Sequence, residues 1–282
     1  MTRTTRRKLA SSLFVGFCAL SVLVALVPLG FVLFYVLSEG VQALNVDFFT
    51  KMPKPVGETG GGMANSIVGT LIVTGLGSVF AIPIGIMSGV YMSEYAGTRF
   101  ASLVRFAADT LNGVPSIVVG VFVYGIAVLP FKQFSALAGG LALGVMMIPI
   151  IARTTEELLL LVPGTMREGA LALGATRSRA VFSVVVPSAL PGIVTGIMLA
   201  LARIAGETAP LLFTALNNGF LSTKLTQPIS SLTVQVYKYA GSPYQDWHRQ
   251  AWAGALVLVS IVLTCSLLAR LATRRLEGMS AR

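Results

Sequence analysis

Six long stretches of this chain contain no Asp, Glu, Lys or Arg, and they constrain its fold more than any other feature. Each is 20 to 35 residues long, and they cover residues 9–38, 59–93, 110–131, 133–152, 180–202 and 250–269. An α-helix needs about 20 apolar residues to cross a hydrocarbon core of roughly 30 Å. Stretches of this length suit helices, since barrel strands need only about 10 alternating residues. The sequence therefore predicts an all-α, polytopic membrane protein with six transmembrane helices.

The composition leaves little room for a soluble domain. Hydrophobic residues make up 55% of the chain and charged residues 11%, whereas soluble domains have roughly 25% charged residues. We expect a basic cytoplasmic N-terminus over 1–11, one transmembrane domain over 12–270 and a cytoplasmic tail over 271–282. The individual spans are predicted near 12–37, 66–91, 111–130, 134–151, 181–216 and 251–269.

The net charge of +10 follows the predicted membrane topology rather than a nucleic-acid-binding surface. With both termini in the cytoplasm, fourteen of the 21 Lys and Arg residues fall on inside segments and seven fall outside. The opposite orientation would invert this ratio, and cytoplasmic loops normally carry the excess of Lys and Arg. We therefore expect both termini inside, a lipid bilayer around the chain and no nucleic-acid partner.

Few residues of the chain could support catalysis or bind a metal. His248 is the single histidine, and Cys18 and Cys265 both lie within predicted spans, which argues against a disulfide framework or a metal cluster. A membrane-embedded enzyme would need a convergent nucleophile, base or metal set. The sequence also lacks the Gly-x-x-x-x-Gly-Lys-Ser/Thr loop that holds nucleotide phosphates. We therefore expect a non-catalytic protein without cofactor or metal.

The longest inside segment, residues 152–180, contains a candidate docking helix. Pro163-Gly164 breaks the chain, residues 166–173 favour a short amphipathic helix, and Gly174 is placed to end or kink it. This helix would lie on the cytoplasmic side with an apolar surface that lipid alone need not cover. The alternative is a helix that merely anchors the loop at the membrane interface.

This loop resembles the signature of ABC importer permease subunits, which reads Glu-Ala-Ala, three residues, Gly, nine residues and then Ile-x-Leu-Pro. The matching positions keep every spacing and depart from it by one glycine and two valines: Glu168, Gly169, Ala170, Gly174, Val184, Val186 and Pro187. The resemblance implies the type I permease fold and makes the short helix a cytoplasmic coupling helix, which sits in a cleft of an ATPase subunit. The ATPase-docking residues that it implies are Glu168, Gly169, Ala170 and Gly174. Glycine instead of alanine at 169 weakens the helix by about 1 kcal/mol.

Two charges stand at the end of the fifth predicted span. Gly192, Gly196 and Ala200 recur every four residues, which predicts one close-packing stripe. Arg203 and Glu207 are themselves four apart, and we expect them to continue this stripe on the same helical face. Ionisable groups in a membrane usually mark a pathway or an interhelical pair, and an Arg held by a carboxylate could bind an oxyanion through a bidentate fork. Chemistry alone leaves pathway and helix pairing equally open.

The block 202–215 resembles the A-type permeases of phosphate-specific ABC importers, above all in Gly-Glu-Thr-Ala-Pro at 206–210. Further similar stretches make the resemblance span roughly residues 60–270: 61–70, 94–96, 111–117 and 227–253. It implies ATP-driven phosphate import across a bacterial cytoplasmic membrane. The residues placed along the translocation path are Arg203, Glu207 and Thr208, with Asn112 and Ser116 as weaker candidates because they could simply cap or pack the third span.

The same resemblance implies three protein partners: a cytoplasmic ABC ATPase dimer, a second homologous permease of the C type and an external phosphate-binding protein. A permease for sulfate, molybdate or phosphonate is the alternative within ABC transport, because the delivering protein largely sets the substrate. A secondary transporter is a further alternative. Such folds usually show internal repeats and intramembrane carboxylates, and the six uncharged stretches contain no carboxylate.

Overall fold

The structure, a computed structural model, describes the backbone of residues 3–280 and its side chains except those of Thr5, Leu9, Ala10 and 272–280. Over these residues the chain is helical and forms no strand, so the all-α prediction is confirmed. The twelve α-helices of the described part are α1 Arg3–Ala43, α2 Val46–Thr50, α3 Ala64–Glu94, α4 Arg99–Gly113, α5 Ser116–Val123, α6 Ala136–Leu160, α7 Gly164–Ala172, α8 Arg177–Ala180, α9 Val186–Ala205, α10 Ala209–Thr214, α11 Leu232–Ala240 and α12 Gln245–Ser280. One π-helical turn extends α5 and another joins α8 to α9: Tyr124–Val128 and Val181–Val185.

Helix length and apolarity support five to six membrane spans. Among the described residues, five segments are long and apolar enough to cross alone: Arg6–Ala43, Ala64–Glu94, Ala136–Leu160, Arg177–Ala205 and Gln245–Leu271. A sixth crossing is formed if α4 and the following segment Ser116–Val128, which meet at 106°, count as one broken span. The predicted number of six therefore depends on this bent pair.

The third span, predicted near 111–130, is bent, because Pro115 interrupts the helix. A proline disfavours helical backbone at the residue before it, and Val114 is extended, with ψ 130°. A new helix starts immediately after the proline. Helix α4 is consequently a separate amphipathic helix that buries Ala101 and Ala108 against the bundle.

Helices α3 and α6 form the centre of the bundle and run parallel to each other. Glycines on both helices permit the close approach that small residues give to membrane helices. A Cβ atom added at Gly85 would lie 2.7 Å from the Ile151 Cβ, and one added at Gly140 would lie 2.6 Å from the Leu76 Cβ. The two glycines of the Gly-x-x-x-Gly spacing in the second span, Gly85 and Gly89, therefore both lie at the contact with α6.

Helix α9 packs antiparallel on α6 through the small-residue stripe that the sequence predicted. Gly192 lies against Leu158, Gly196 lies against Thr154, and Ala200 is completely buried. The stripe is therefore confirmed. It fixes which face of α9 points into the bundle, and that face decides where the charges at its end can go.

The segment between the fifth and sixth spans, residues 217–249, is polar in sequence and packs on the bundle. The Thr70 hydroxyl of α3 accepts the Leu232 N–H at 2.8 Å, and the Ser66 and Ser230 hydroxyls lie 2.7 Å apart. Burial, aided by a nearby carboxylate, raises the pKa of the Tyr239 hydroxyl above its ordinary value of 10.0. The buried hydroxyls explain why a polar sequence could fold against the bundle: their partners are inside the protein.

Both ends of the chain are helical where they are described. Helix α1 starts at Arg3, within the predicted tail 1–11, and α12 continues through the predicted tail 271–282 as far as Ser280. Residues 1–2 and 281–282 lie outside the described part. Near its C-terminal end α1 packs on α12, where Gly40 faces Leu256.

Candidate functional site

The predicted site residues lie towards two different ends of the bundle. We call one the α7 end; it holds the C-terminal ends of α3 and α6 together with α4, α7 and α8. The other, the opposite end, holds the N-terminal ends of α3 and α6 together with α11. A long helix such as α3, with 31 residues, spans about 45 Å between them at 1.5 Å per residue. Any mechanism that uses both sets of residues must act across the whole bundle.

The predicted docking helix is present as α7 and lies on the surface. It buries none of its residues, and Met166 and Leu171 are exposed. Leu173, directly after the helix, is 91% exposed. Large apolar side chains in such positions mark an interaction surface when they stand together. The prediction of a short helix between two spans is confirmed, while its docking role remains a prediction.

Gly174 ends α7 in the way its sequence position suggested. Its φ is +82°, a left-handed conformation that glycine adopts without strain. The Gly174 N–H donates to the Leu171 carbonyl at 2.9 Å, and the Ala175 N–H donates to the Ala170 carbonyl at 3.1 Å. These two bonds form a Schellman motif, which satisfies the last carbonyls of a helix. The turn after α7 therefore depends on this one glycine.

The other predicted docking residues share α7 and are free of bulky neighbours. Glu168 is exposed, and within the described part no cationic group lies within 4.0 Å of its carboxylate. A Cβ added at Gly169 would meet nothing within 4 Å. Ala170 is half-buried beside them. The structure thus brings these three residues together and leaves their outer surface open.

Two further arginines attach the α7 segment, which we define as residues 164–180 with helices α7 and α8, to the bundle. Arg167 on α7 donates from Nε to the Glu94 Oε1 at 3.0 Å, and Arg177 on α8 approaches the other oxygen of the same carboxylate at 3.9 Å. Glu94 is the last residue of α3. The sequence signal that could have pointed to Glu94 was its position directly after the uncharged stretch 59–93, where a charge marks the end of a span.

A second ionic network ties α4 to α6 at the α7 end. The Glu156 side chain is 2% exposed; it accepts hydrogen bonds from the Arg105 Nε at 2.9 Å and from an Arg153 nitrogen at 2.6 Å. Arg153 also pairs with Asp109 at 3.0 Å. A buried carboxylate requires such partners, because an uncompensated buried charge is costly. This network fixes α4, and with it the bend before α5.

Replacing Glu156 with Gln is expected to destabilise the protein by about 2 kcal/mol. Loss of a partner from a buried pair costs about 3–5 kcal/mol, and partial exposure of both arginines reduces this. The measurement is thermal unfolding of the purified chain in detergent, where we expect a fall of about 4–8 °C. The exposed neighbour Glu157 provides the control, since its change to Gln should alter the stability by less than about 0.5 kcal/mol. Equal melting temperatures for both variants would contradict the network's role.

The expectation that Arg203 and Glu207 share one helical face is wrong, because α9 ends between them. Its last residue is Ala205, and the Gly206 N–H donates to the Arg203 carbonyl at 3.2 Å in the closing turn. The packing stripe continues into Ile204, which is completely buried, so Arg203 is turned out of the seam and exposed. No carboxylate of the described chain lies within 4.0 Å of its guanidinium.

Glu207 and Thr208 form a non-helical break between α9 and α10. The Thr233 hydroxyl donates to the Glu207 carbonyl at 3.0 Å, so the break is held by the first turn of α11. Non-helical backbone at membrane depth is tolerated where it is buried in protein or lines a water-filled cavity. A break that contains Glu207 and follows Arg203 in the last turn of α9 is therefore a reasonable element of a polar path.

The weaker path candidates fall on the two sides of the α4–α5 bend. Helix α5 packs on α10, and a Cβ added at Gly120 would be 2.7 Å from the Pro210 Cα. Ser116 begins α5 one helical turn before Gly120, whereas Thr208 comes two residues before Pro210. This places Ser116 near the level of the break. Asn112 lies beyond the bend on α4 and is exposed.

Comparison with known families identifies the architecture. Residues 81–278 match the family described as "Binding-protein-dependent transport system inner membrane component". The chain belongs to this family. It is therefore a permease subunit and a multi-pass inner membrane protein, and the uncharged stretches predicted the membrane spans.

Relatives of this inner membrane component cover more than four-fifths of its length. It is 42% identical over 266 residues to the phosphate transport system permease protein PstA of Haemophilus influenzae, covering 94% of each chain. It is 47% identical over 236 residues to PstA of Xylella fastidiosa, covering 83% of this chain and 82% of that relative. The fold is similar to a chain of the bacterial alginate ABC transporter, solved in complex with an alginate pentasaccharide-bound periplasmic protein. The TM-score is 0.64 at 15% identity, covering 97% of this chain and 98% of the other, which confirms the expected ABC importer permease fold.

Proposed function

We propose that this chain is the permease subunit through which an ATP-driven importer moves inorganic phosphate across the cytoplasmic membrane. The observation that carries the proposal is the identity of 42% and 47% with phosphate transport permeases, over more than four-fifths of the chain. The structure supports it with an exposed surface helix at one end and a polar break with an unpaired arginine towards the other.

Arg203 is the residue that we assign to the phosphate path. An arginine fork matches the oxygens of phosphate in a bidentate manner, and its side chain is exposed and free of a carboxylate partner in the described chain. Glu207 does not neutralise it, because the helix ends between the two. Thr208 adds a hydroxyl at the same break. The half-buried Ser116 at the start of α5 would line the path from the neighbouring helix.

ATP hydrolysis belongs in our proposal to a dimer of a separate cytoplasmic ABC ATPase that docks on α7. The apolar Leu171 and Leu173 would enter a cleft of the ATPase, and Glu168 would meet its polar groups. Six arginines at the α7 end support a cytoplasmic position for it under the positive-inside rule, with both termini on that side: Arg99, Arg105, Arg153, Arg167, Arg177 and Arg179.

Two further partners complete the proposed transporter. A second homologous permease of the C type would form the other half of the pore, against the exposed faces of α5 and the end of α9. An external phosphate-binding protein would deliver the substrate at the opposite end. The sequence contains no nucleotide-binding loop of its own, so in this proposal the separate ATPase supplies the energy for transport.

The experiment that tests the proposal is phosphate uptake by cells that lack this chain, rescued by the wild type or by variants. We expect deletion to remove high-affinity uptake and the wild-type chain to restore it. Cells rescued by Arg203→Ala should take up phosphate at least about tenfold more slowly than cells rescued by the wild type. The reason is that a lost charge-assisted hydrogen bond costs about 1.5–3 kcal/mol. The control is Arg249→Ala, which removes an exposed arginine from the opposite end and should rescue fully.

Two outcomes would oppose the proposed function, and a third would correct the role of Arg203. Unchanged phosphate uptake in the deletion strain would exclude phosphate as the substrate. Uptake competed by sulfate rather than by phosphate would point to another oxyanion. Full rescue by Arg203→Ala would leave the transport function standing and remove Arg203 from the path.

A further inference from the structure

Glu94 is a nearly buried carboxylate where helix α3 meets the α7 segment. Its side chain is 7% exposed, although it ends a helix at the surface of the bundle. A carboxylate this buried needs compensating partners to remain charged. Both of its partners come from the α7 segment, and they come from different sides of the Gly174 turn.

The first partner, Arg167, donates hydrogen bonds to both α3 and the end of α6. Its Nε donates to the Glu94 Oε1 at 3.0 Å, while its terminal nitrogens donate to the Leu159 carbonyl at 3.0 Å and the Val162 carbonyl at 3.4 Å. These carbonyls lie at and just beyond the C-terminal end of α6. One guanidinium therefore joins α7 to both α3 and α6, and only the α3 branch is ionic.

The second partner, Arg177, lies on the far side of the turn. It donates to the Glu94 backbone carbonyl, and its Nε is 3.9 Å from the Glu94 Oε2. Its guanidinium carbon also stands 4.6 Å from the centre of the Tyr95 ring, within cation–π range. Glu94 and Tyr95 thus hold α8 through Arg177, and Glu94 also holds α7 through Arg167.

We propose that Glu94 is a positioning residue that clamps α7 to α3, so that a displacement of α7 moves α3. Helix α7 buries no residue of its own, so charge rather than apolar packing attaches it to the bundle. The inference rests on the proposed function, because it assumes that α7 is the element that an ATPase displaces. Glu94 itself touches neither substrate nor ATP; it acts through Arg167 and Arg177.

Helix α3 can carry this displacement to the polar break. At its other end the Thr70 hydroxyl accepts the Leu232 N–H at 2.8 Å, and the adjacent Thr233 hydroxyl donates to the Glu207 carbonyl at 3.0 Å. A continuous series of contacts therefore runs from α7 through Glu94 and α3 to the backbone between α9 and α10. Such a series transmits a movement only if its ends are firmly attached, and Glu94 is the attachment at the α7 end.

The test is Glu94→Gln in the assembled transporter, reconstituted in vesicles with ATP and inorganic phosphate. Gln keeps the shape of the side chain and removes its charge. We expect phosphate uptake to fall by about fivefold or more while ATP hydrolysis stays within about twofold of wild type, since allosteric couplings are typically 1–3 kcal/mol. Glu94→Asp keeps the charge and should recover part of the uptake per ATP. The matched control is Glu58→Gln, which removes a carboxylate from an exposed pair with Lys54 at the opposite end and should change neither rate.

Hydrogen exchange of the purified chain gives a second measurement that does not depend on transport. The amides of α7 should exchange faster in Glu94→Gln than in the Glu58→Gln control. A parallel fall of uptake and ATP hydrolysis, or no change in either, would overturn the proposal, and so would unchanged exchange over α7. If the wild-type transporter itself takes up no phosphate, the proposed function fails, and exchange over α7 alone then decides whether Glu94 clamps this helix.

Discussion

Replacing Gly174 with proline is expected to abolish transport while the chain still inserts into the membrane. The native φ of +82° is incompatible with proline, whose ring fixes φ near −65°. Proline also removes the N–H that donates to the Leu171 carbonyl at 2.9 Å. The cost is about 3 kcal/mol or more, concentrated in a helix of nine residues that buries nothing. We expect the end of α7 to unwind and ATP-driven phosphate uptake to fall by at least about tenfold.

The control for this substitution lies on the same helix. Gly169→Ala adds a methyl group where nothing lies within 4 Å, at a position with ordinary helical backbone. It should stabilise α7 by about 1 kcal/mol and leave uptake unchanged or higher. The measurement is uptake in cells together with the amount of chain in purified membranes. Wild-type uptake by Gly174→Pro at equal membrane content would show that the shape of this turn is irrelevant to transport.

The α7 segment shows which features of this protein the sequence could predict. Pro163 and Gly174 mark the ends of the helix by backbone restrictions that act locally, whatever the rest of the fold does. The uncharged stretches predicted most spans because the bilayer imposes a minimum length on any helix that crosses it, whatever that helix packs against. The stripe ending at Ala200 was predictable because periodicity alone determines a helical face.

Features that depend on distant partners could not be predicted in this way. Glu94 and Arg167 are 73 residues apart, and nothing in either local sequence indicates that they meet. The bend at Pro115 was missed because the uncharged stretch continues through it, and hydropathy does not register a proline. Arg203 and Glu207 were placed on one face by counting residues through Gly206, where the helix in fact ends.

A methyl group at Gly69 is expected to destabilise the fold more than any other single methyl in α3. The added Cβ would overlap the backbone carbonyl oxygen of Ser230 and would lie 2.9 Å from the Ile229 Cγ1. A backbone carbonyl cannot rotate away as a flexible side chain can, so the segment 229–232 would have to leave α3. That movement would also break the Ser66–Ser230 and Thr70–Leu232 hydrogen bonds. Overpacking of this kind costs about 1–3 kcal/mol, and loss of buried hydrogen bonds adds about 1 kcal/mol each.

Gly75 on the same helix supplies the matched comparison for Gly69→Ala. A Cβ added at Gly75 meets nothing within 4 Å, so Gly75→Ala should raise helix stability by about 1 kcal/mol. In thermal unfolding of the purified chain we expect Gly69→Ala to melt about 5–10 °C below wild type and Gly75→Ala to melt at or above it. Because segment 229–232 leads directly into Thr233, whose hydroxyl holds the Glu207 break, residual folded Gly69→Ala protein should transport poorly. Similar melting temperatures for the two variants would mean that α3 does not contact segment 229–232. The proposed connection from α3 to the Glu207 break would then be wrong.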